Sequence, residues 1–123
     1  MVDDDETLLQ AVSDYLESRG HRVARCGDPT VAAELAEKTA PDLAIVDYEM
    51  PRLTGTQLLT ELRAGGRTHF LPVLFLSGVE PMLYTSQTTP DPRVVFLRKP
   101  VDFDALDEAI ASLLDPGAGS KDA

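Results

Sequence analysis

Short apolar runs alternate with amphipathic stretches along this chain. Leu8, Leu9, Val12, Tyr15 and Leu16 recur at helical spacing, which predicts a helix over Thr7–Ser18. Asp5 stands where an N-cap belongs, and Gly20, just past Arg19, where a helix stops. His21–Cys26 reads as a short strand centred on Val23 and Ala24. The segment GDPTVAAELAEKTAPD predicts a second helix, capped by Asp28, opened by Pro29 and ended by Pro41. Leu43–Asp47 is a short, wholly apolar run closed by an acid, the pattern of a buried strand. After the loop YEMPRLTG, residues Leu58, Leu59 and Leu62 mark a third helix closed by Gly65 and Gly66. Val73–Leu76 and Val94–Leu97 repeat the buried-strand pattern, the first ending at Ser77 and the second at Lys99. Asp102 caps a last helix carrying Leu106, Ala109, Ile110, Leu113 and Leu114 on one face. Between Ser77 and Phe96, Pro90 and Pro92 restrict any helix to Pro81–Gln87 at most.

Strands that are apolar throughout and alternate with helices predict a parallel sheet covered on both faces, an α/β fold of three layers. One domain over residues 1–114 accounts for the pattern, and the polar, Gly-rich DPGAGSKDA at 115–123 is expected to be a disordered tail. The length of 123 residues suits a single core, and no apolar run is long enough to span a bilayer. Cys26 is the only cysteine, so no internal disulfide forms, and a reducing, cytoplasmic setting is the natural expectation. A net charge of −10 argues against direct contact with nucleic acid or anionic membrane, and for cations or basic partner surfaces.

Ligands of doubly wound sheets bind at the carboxyl ends of the strands. Here those ends carry Asp47, Ser77 and Lys99, joined by Asp3 and Asp4 if Val2 ends a strand of its own. Carboxylates gathered at one point repel unless a cation joins them, and a hard ion that takes oxygen ligands, Mg²⁺, fits best. One carboxylate can then act as nucleophile towards a phosphoryl group, with a lysine and a hydroxyl to contact its oxygens. Taken alone, Asp3 to Glu6 read first as the first-turn acids of a helix, and only Asp47 and Lys99 at their spacing turn the reading to a metal site. His21 and His69 have no ligand partners at metal spacing and read as surface residues.

The stretches VDDDE, LAIVDYEMPRLTG, VLFLSG and FLRKP, in this order and spacing, resemble the receiver domain of two-component response regulators over Val2–Leu114. Met50-Pro51 and Gly55 match that family's loop after the acceptor. The resemblance implies a flavodoxin-like sheet of order 2-1-3-4-5. It implies Asp47 as phosphoacceptor from a sensor histidine kinase or phosphotransfer protein. It implies Mg²⁺ held by Asp3, Asp4, Asp47 and the backbone carbonyl of Glu49. Lys99 would pair with Asp47, Ser77 and Phe96 would form the switch, and the Lys99–Pro100 bond would be cis. Output would pass to a downstream protein target, with a second copy of the chain as a further candidate partner. Such a domain is a signalling module rather than an enzyme acting on external substrate.

The chain departs from the family's pattern in two places. Only Met1 and Val2 precede the acidic pair, so the first strand is cut short, and the favoured expectation is a polypeptide that begins upstream. The segment after Ser77 does not read as a regular fourth helix. A hydrolase of the haloacid dehalogenase type ranks low, because Asp47-Tyr48-Glu49 runs into Met50-Pro51 rather than forming Asp-x-Asp. A degenerate receiver that only binds partners is the alternative reading.

Overall fold

A computed structural model describes residues 1–78 and 92–114. The expected helix over Pro81–Gln87 and the tail at 115–123 lie outside them. Within these residues the order is α1 (Glu6–Ser18), a 3-10 turn (Pro29–Val31), α2 (Ala32–Thr39), β1 (Ala44–Asp47), α3 (Gly55–Ala64), β2 (Val73–Ser77), β3 (Val94–Arg98) and α4 (Phe103–Leu114).

The strands β1, β2 and β3 lie side by side and parallel, with Asp47 opposite Leu76 and Ser77 opposite Arg98. The period of two along a strand sorts their side chains into two cores. Ala44, Val46, Val73 and Phe75 face the layer of α2 and α3, where they meet Leu58 and Leu62. Ile45, Leu74 and Leu76 face the layer of α1 and α4, against Val12, Leu16, Leu106 and Ile110. Burial on both faces is why these strands carry no alternating polar residues.

Local chemistry sets the helix ends. The Asp5 carboxylate accepts the backbone N–H of Thr7 and Leu8, so α1 begins at Glu6. Gly20 takes φ +92° just past its end. Thr54 and Gln57 bond each other's backbone N–H reciprocally, a capping box that starts α3. Asp28 caps the 3-10 turn rather than the α-helix, and α2 follows it and ends with Ala40 in the left-handed region at φ 46°. Asp102 accepts the Asp104 N–H at the mouth of α4.

The expected strand over His21–Cys26 does not form. Of that segment only Cys26 forms a β-bridge, parallel to Val2, which bridges Val46 on its other side, while the Ala24 carbonyl accepts the Met1 amino group at 2.7 Å. Across the sheet the sequence of neighbours is therefore Cys26, Val2, β1, β2, β3, which is the order 2-1-3-4-5 with its first two members reduced to bridges. The bridge is tied by Val2 N–H to the Ile45 carbonyl at 2.8 Å, Asp47 N–H to the Val2 carbonyl at 2.9 Å and Asp3 N–H to the Cys26 carbonyl at 3.0 Å. A strand exists only where a neighbour continues the ladder, and among the described residues no ladder forms beside Arg22 and Val23. At this end of the sheet is a cleft of about 670 Å³, lined by Met1, Val23, Leu35, Leu43, Ile45 and Ile110 among others.

Candidate functional site

The site sits at the opposite end of the sheet. Val2 carries Asp3 and Asp4 to the strand ends, β1 delivers Asp47, β2 delivers Ser77, and the turn after β3 delivers Lys99. Backbone bonds fix these positions: Tyr48 N–H to the Leu76 carbonyl at 2.8 Å and Lys99 N–H to the Ser77 carbonyl at 2.7 Å. The Lys99–Pro100 peptide bond is cis.

Asp47 is almost entirely enclosed, with 3% of its surface exposed. Its Oδ1 accepts the Lys99 ammonium at 3.0 Å and the Glu49 backbone N–H at 3.2 Å. Burial works against the Lys99 charge, but the hydrogen bond and charge of Asp47, with Asp3 and Glu49 beyond it, outweigh that and raise its pKa. Asp3 is fully buried. Its Oδ1 accepts the Asp5 backbone N–H at 2.9 Å, while Oδ2 is buried and has no hydrogen-bond partner among the described residues. Burial first, and then the neighbouring Asp47, push the Asp3 pKa up to about 7, against the pull of the Asp5 N–H. Asp4 is exposed beside them.

Carboxylate oxygens of Asp3, Asp4 and Asp47 all fall within 4.8 Å of one another. A buried carboxylate oxygen without a donor, inside a cluster of acids, is costly as it stands. A hard divalent cation coordinated by oxygens offsets both the burial and the repulsion, so the residues present fit Mg²⁺. The acids that open the chain thus divide their work: Asp3 and Asp4 contribute to this cluster, and Asp5 caps α1.

Behind the site, Tyr48, Phe75 and Phe96 pack as an aromatic group. Tyr48 meets Phe75 edge-on at 5.0 Å between centroids, and Phe96 stacks on Phe75 at 5.2 Å and leans on Tyr48 at 5.5 Å. Gly55 is needed there, since a Cβ at that position would lie 2.5 Å from the Tyr48 ring. The Tyr48 hydroxyl bonds Thr56. The Ser77 hydroxyl is buried and donates to the Glu49 carboxylate. The sequence pointed to the backbone of Glu49; the reach of its side chain across the site is a contact that spacing along the chain does not signal.

The fold and this pocket define a flavodoxin-like signalling domain of the chemotaxis-regulator type. The family model for the response regulator receiver domain matches residues 1–111, and the chain belongs to that family. The structure resembles the receiver domain of the hybrid histidine kinase CckA, with 32% identity and a TM-score of 0.74 over 92% of this chain and 94% of that one. It also resembles the Vibrio cholerae chemotaxis protein CheY4, with 26% identity and a TM-score of 0.80 over 92% of this chain and 94% of that one. The response regulator Rre1 of a Synechocystis species is 33% identical across the whole of this chain, which spans 54% of Rre1. The regulatory protein VanRc of Enterococcus gallinarum is 39% identical over 63% of this chain and 32% of its own length. The chain thus spans about a third to a half of these curated relatives. Membership makes it a module of two-component signalling. Among the described residues no helix is long and apolar enough to cross a membrane.

Proposed function

We propose that Asp47 accepts a phosphoryl group from a phosphohistidine on a sensor kinase or phosphotransfer protein. The observation that carries this reading is the enclosed Asp47 carboxylate, bonded to Lys99 and set among Asp3 and Asp4. A carboxylate oxygen of Asp47 attacks phosphorus, a P–O bond forms, and the P–N bond breaks with its electron pair left on the imidazole nitrogen. Lys99 holds Asp47 in line during the attack and then shares its charge with the phosphoryl oxygens. The near-complete burial of Asp47 limits the approach of water to the product. Mg²⁺, when held by Asp3, Asp4, Asp47 and the Glu49 carbonyl, would supply charge compensation for the phosphoryl oxygens.

The product adds about 1.5 to 2 units of negative charge at the end of β1. Ser77 turns to the new oxygens, and Phe96, which already packs on Phe75 and Tyr48, repacks behind it. A downstream protein, or a second copy of the chain, reads that repacked face. The domain acts over residues 1–114 in this reading, with 115–123 as a tail outside it.

The test is intact mass after incubation with Mg²⁺ and acetyl phosphate. A gain of one phosphoryl group that disappears in Asp47→Asn supports the reading. A folded protein that gains nothing returns the chain to the degenerate, partner-binding alternative.

A further inference from the structure

Asp5 serves two structures at once. Its carboxylate accepts the backbone N–H of Thr7 and Leu8, and its carbonyl accepts the Leu9 N–H at 2.9 Å, which together start α1. Its own N–H donates to Asp3 Oδ1 at 2.9 Å. The capping geometry holds the Asp5 backbone extended, at φ −84° and ψ 103°. A peptide N–H lies in the plane of the backbone that carries it, so whatever fixes that backbone also fixes the donor. The cap of α1 therefore decides where the hydrogen bond to Asp3 falls.

The target of that donor is a fully buried carboxylate. With Oδ1 engaged by Asp5, the other oxygen, Oδ2, is buried and has no hydrogen-bond partner among the described residues. A carboxylate held in place through one oxygen offers the other as a single ligand atom. Mg²⁺ takes such single oxygens in a strict octahedron, whereas Ca²⁺ also accepts both oxygens of one carboxylate in a looser shell. We propose that Asp5 is a positioning residue for the cation: by capping α1 it fixes the N–H that holds Asp3 Oδ1, and so presents Oδ2 as a one-oxygen ligand suited to Mg²⁺. This rests on the cluster of Asp3, Asp4 and Asp47 as the cation site of the proposed function. Asp5 acts through Asp3 and is not itself a ligand. The third acid of VDDDE thus works through a backbone donor and a side-chain acceptor, which ties the first turn of α1 to the geometry of the cluster.

The experiment compares the unmodified chain with Asp5→Asn, Asp5→Ala, Asp5→Gly and Asp3→Asn. Asn and Ala remove the same charge, but Asn keeps a capping oxygen and Ala does not. Gly also lacks the oxygen yet costs the helix little, so it stands in where Asp5→Ala fails to fold. Dissociation constants for Mg²⁺ and for Ca²⁺ are read by amide NMR titration at fixed ionic strength, and the same spectra check that each variant is folded. Asp5→Ala and Asp5→Gly are expected to bind Mg²⁺ roughly three- to tenfold more weakly than Asp5→Asn, with a smaller loss for Ca²⁺. In metal-free protein the amide proton of residue 5, held downfield by its bond to a carboxylate, moves upfield in Asp5→Ala and stays in place in Asp5→Asn. Equal Mg²⁺ affinities with and without the capping oxygen, losses of equal size for the two ions, or an unmoved amide overturn the positioning role while leaving the cluster as the cation site. Mg²⁺ binding that is absent from the unmodified chain, or undiminished in Asp3→Asn, overturns the cluster and the positioning role with it.

Discussion

At the carboxyl end of the sheet, Asp47, Ser77 and Lys99 hang from adjacent strands and are tied to one another by backbone and side-chain bonds. At the amino end, Val2 bridges Cys26 and Val46 one residue at a time, and a cleft of about 670 Å³ lies beside it. The same strands make both ends. The difference lies in how many neighbours each strand has along its length. Where the ladder is continuous, side chains are held closely enough for chemistry. Where it shrinks to a single bridge, the strand predicted over His21–Cys26 does not form. One residue of pairing is enough to carry Asp3 to the site.

The comparison breaks most severely if the floor of the well-built end is removed. Phe75 is 1% exposed and lies under both Tyr48 and Phe96. Phe75→Ala is expected to cost about 3–5 kcal/mol in a urea titration, the usual loss for a core aromatic.

Acidity sharpens the contrast, because the close packing of the site has a cost in charge. Asp3 in the folded chain titrates near 7, above the ordinary carboxylate value of 3.8. Between those two values the folded state holds the proton more tightly than the unfolded state, so stability falls as pH rises through that window. In chelator, unfolding midpoints at pH 5 and pH 8 should therefore differ in favour of pH 5, and Asp3→Asn should flatten the slope. Mg²⁺ binding would carry the opposite dependence, tightening as pH rises towards 7 and levelling off above it, where Asp3 is already ionised. The smallest effect belongs to a helix end. Thr54→Ala removes half of the capping box at α3 and is expected to cost about 1 kcal/mol.

The three strands from Ala44 to Arg98 were legible in the sequence because burial on both faces leaves an unbroken apolar run. Asp47, Ser77 and Lys99 were legible for a related reason: a polar residue closing such a run marks the end of a buried strand. His21–Cys26 misled because its local pattern suits a strand, while strand formation is decided by a neighbour that the segment does not itself contain. The Thr54–Gln57 box could have been read from its spacing alone. The grip of Glu49 on Ser77 joins residues 28 positions apart through one flexible side chain, and no periodicity carries that information.

The register of the sheet has one more consequence. Asp47 lies opposite Leu76 and Ser77 opposite Arg98, so the spacing of the reactive groups is set by the ladder itself, at ~4.8 Å from strand to strand. The sheet is a ruler, and the connections merely return the chain to it. Lengthening the connection between α2 and β1, which carries none of the site's residues, leaves the measurement intact. A site gauged in this way depends on the ladder more than on the length of the chain that leads into it.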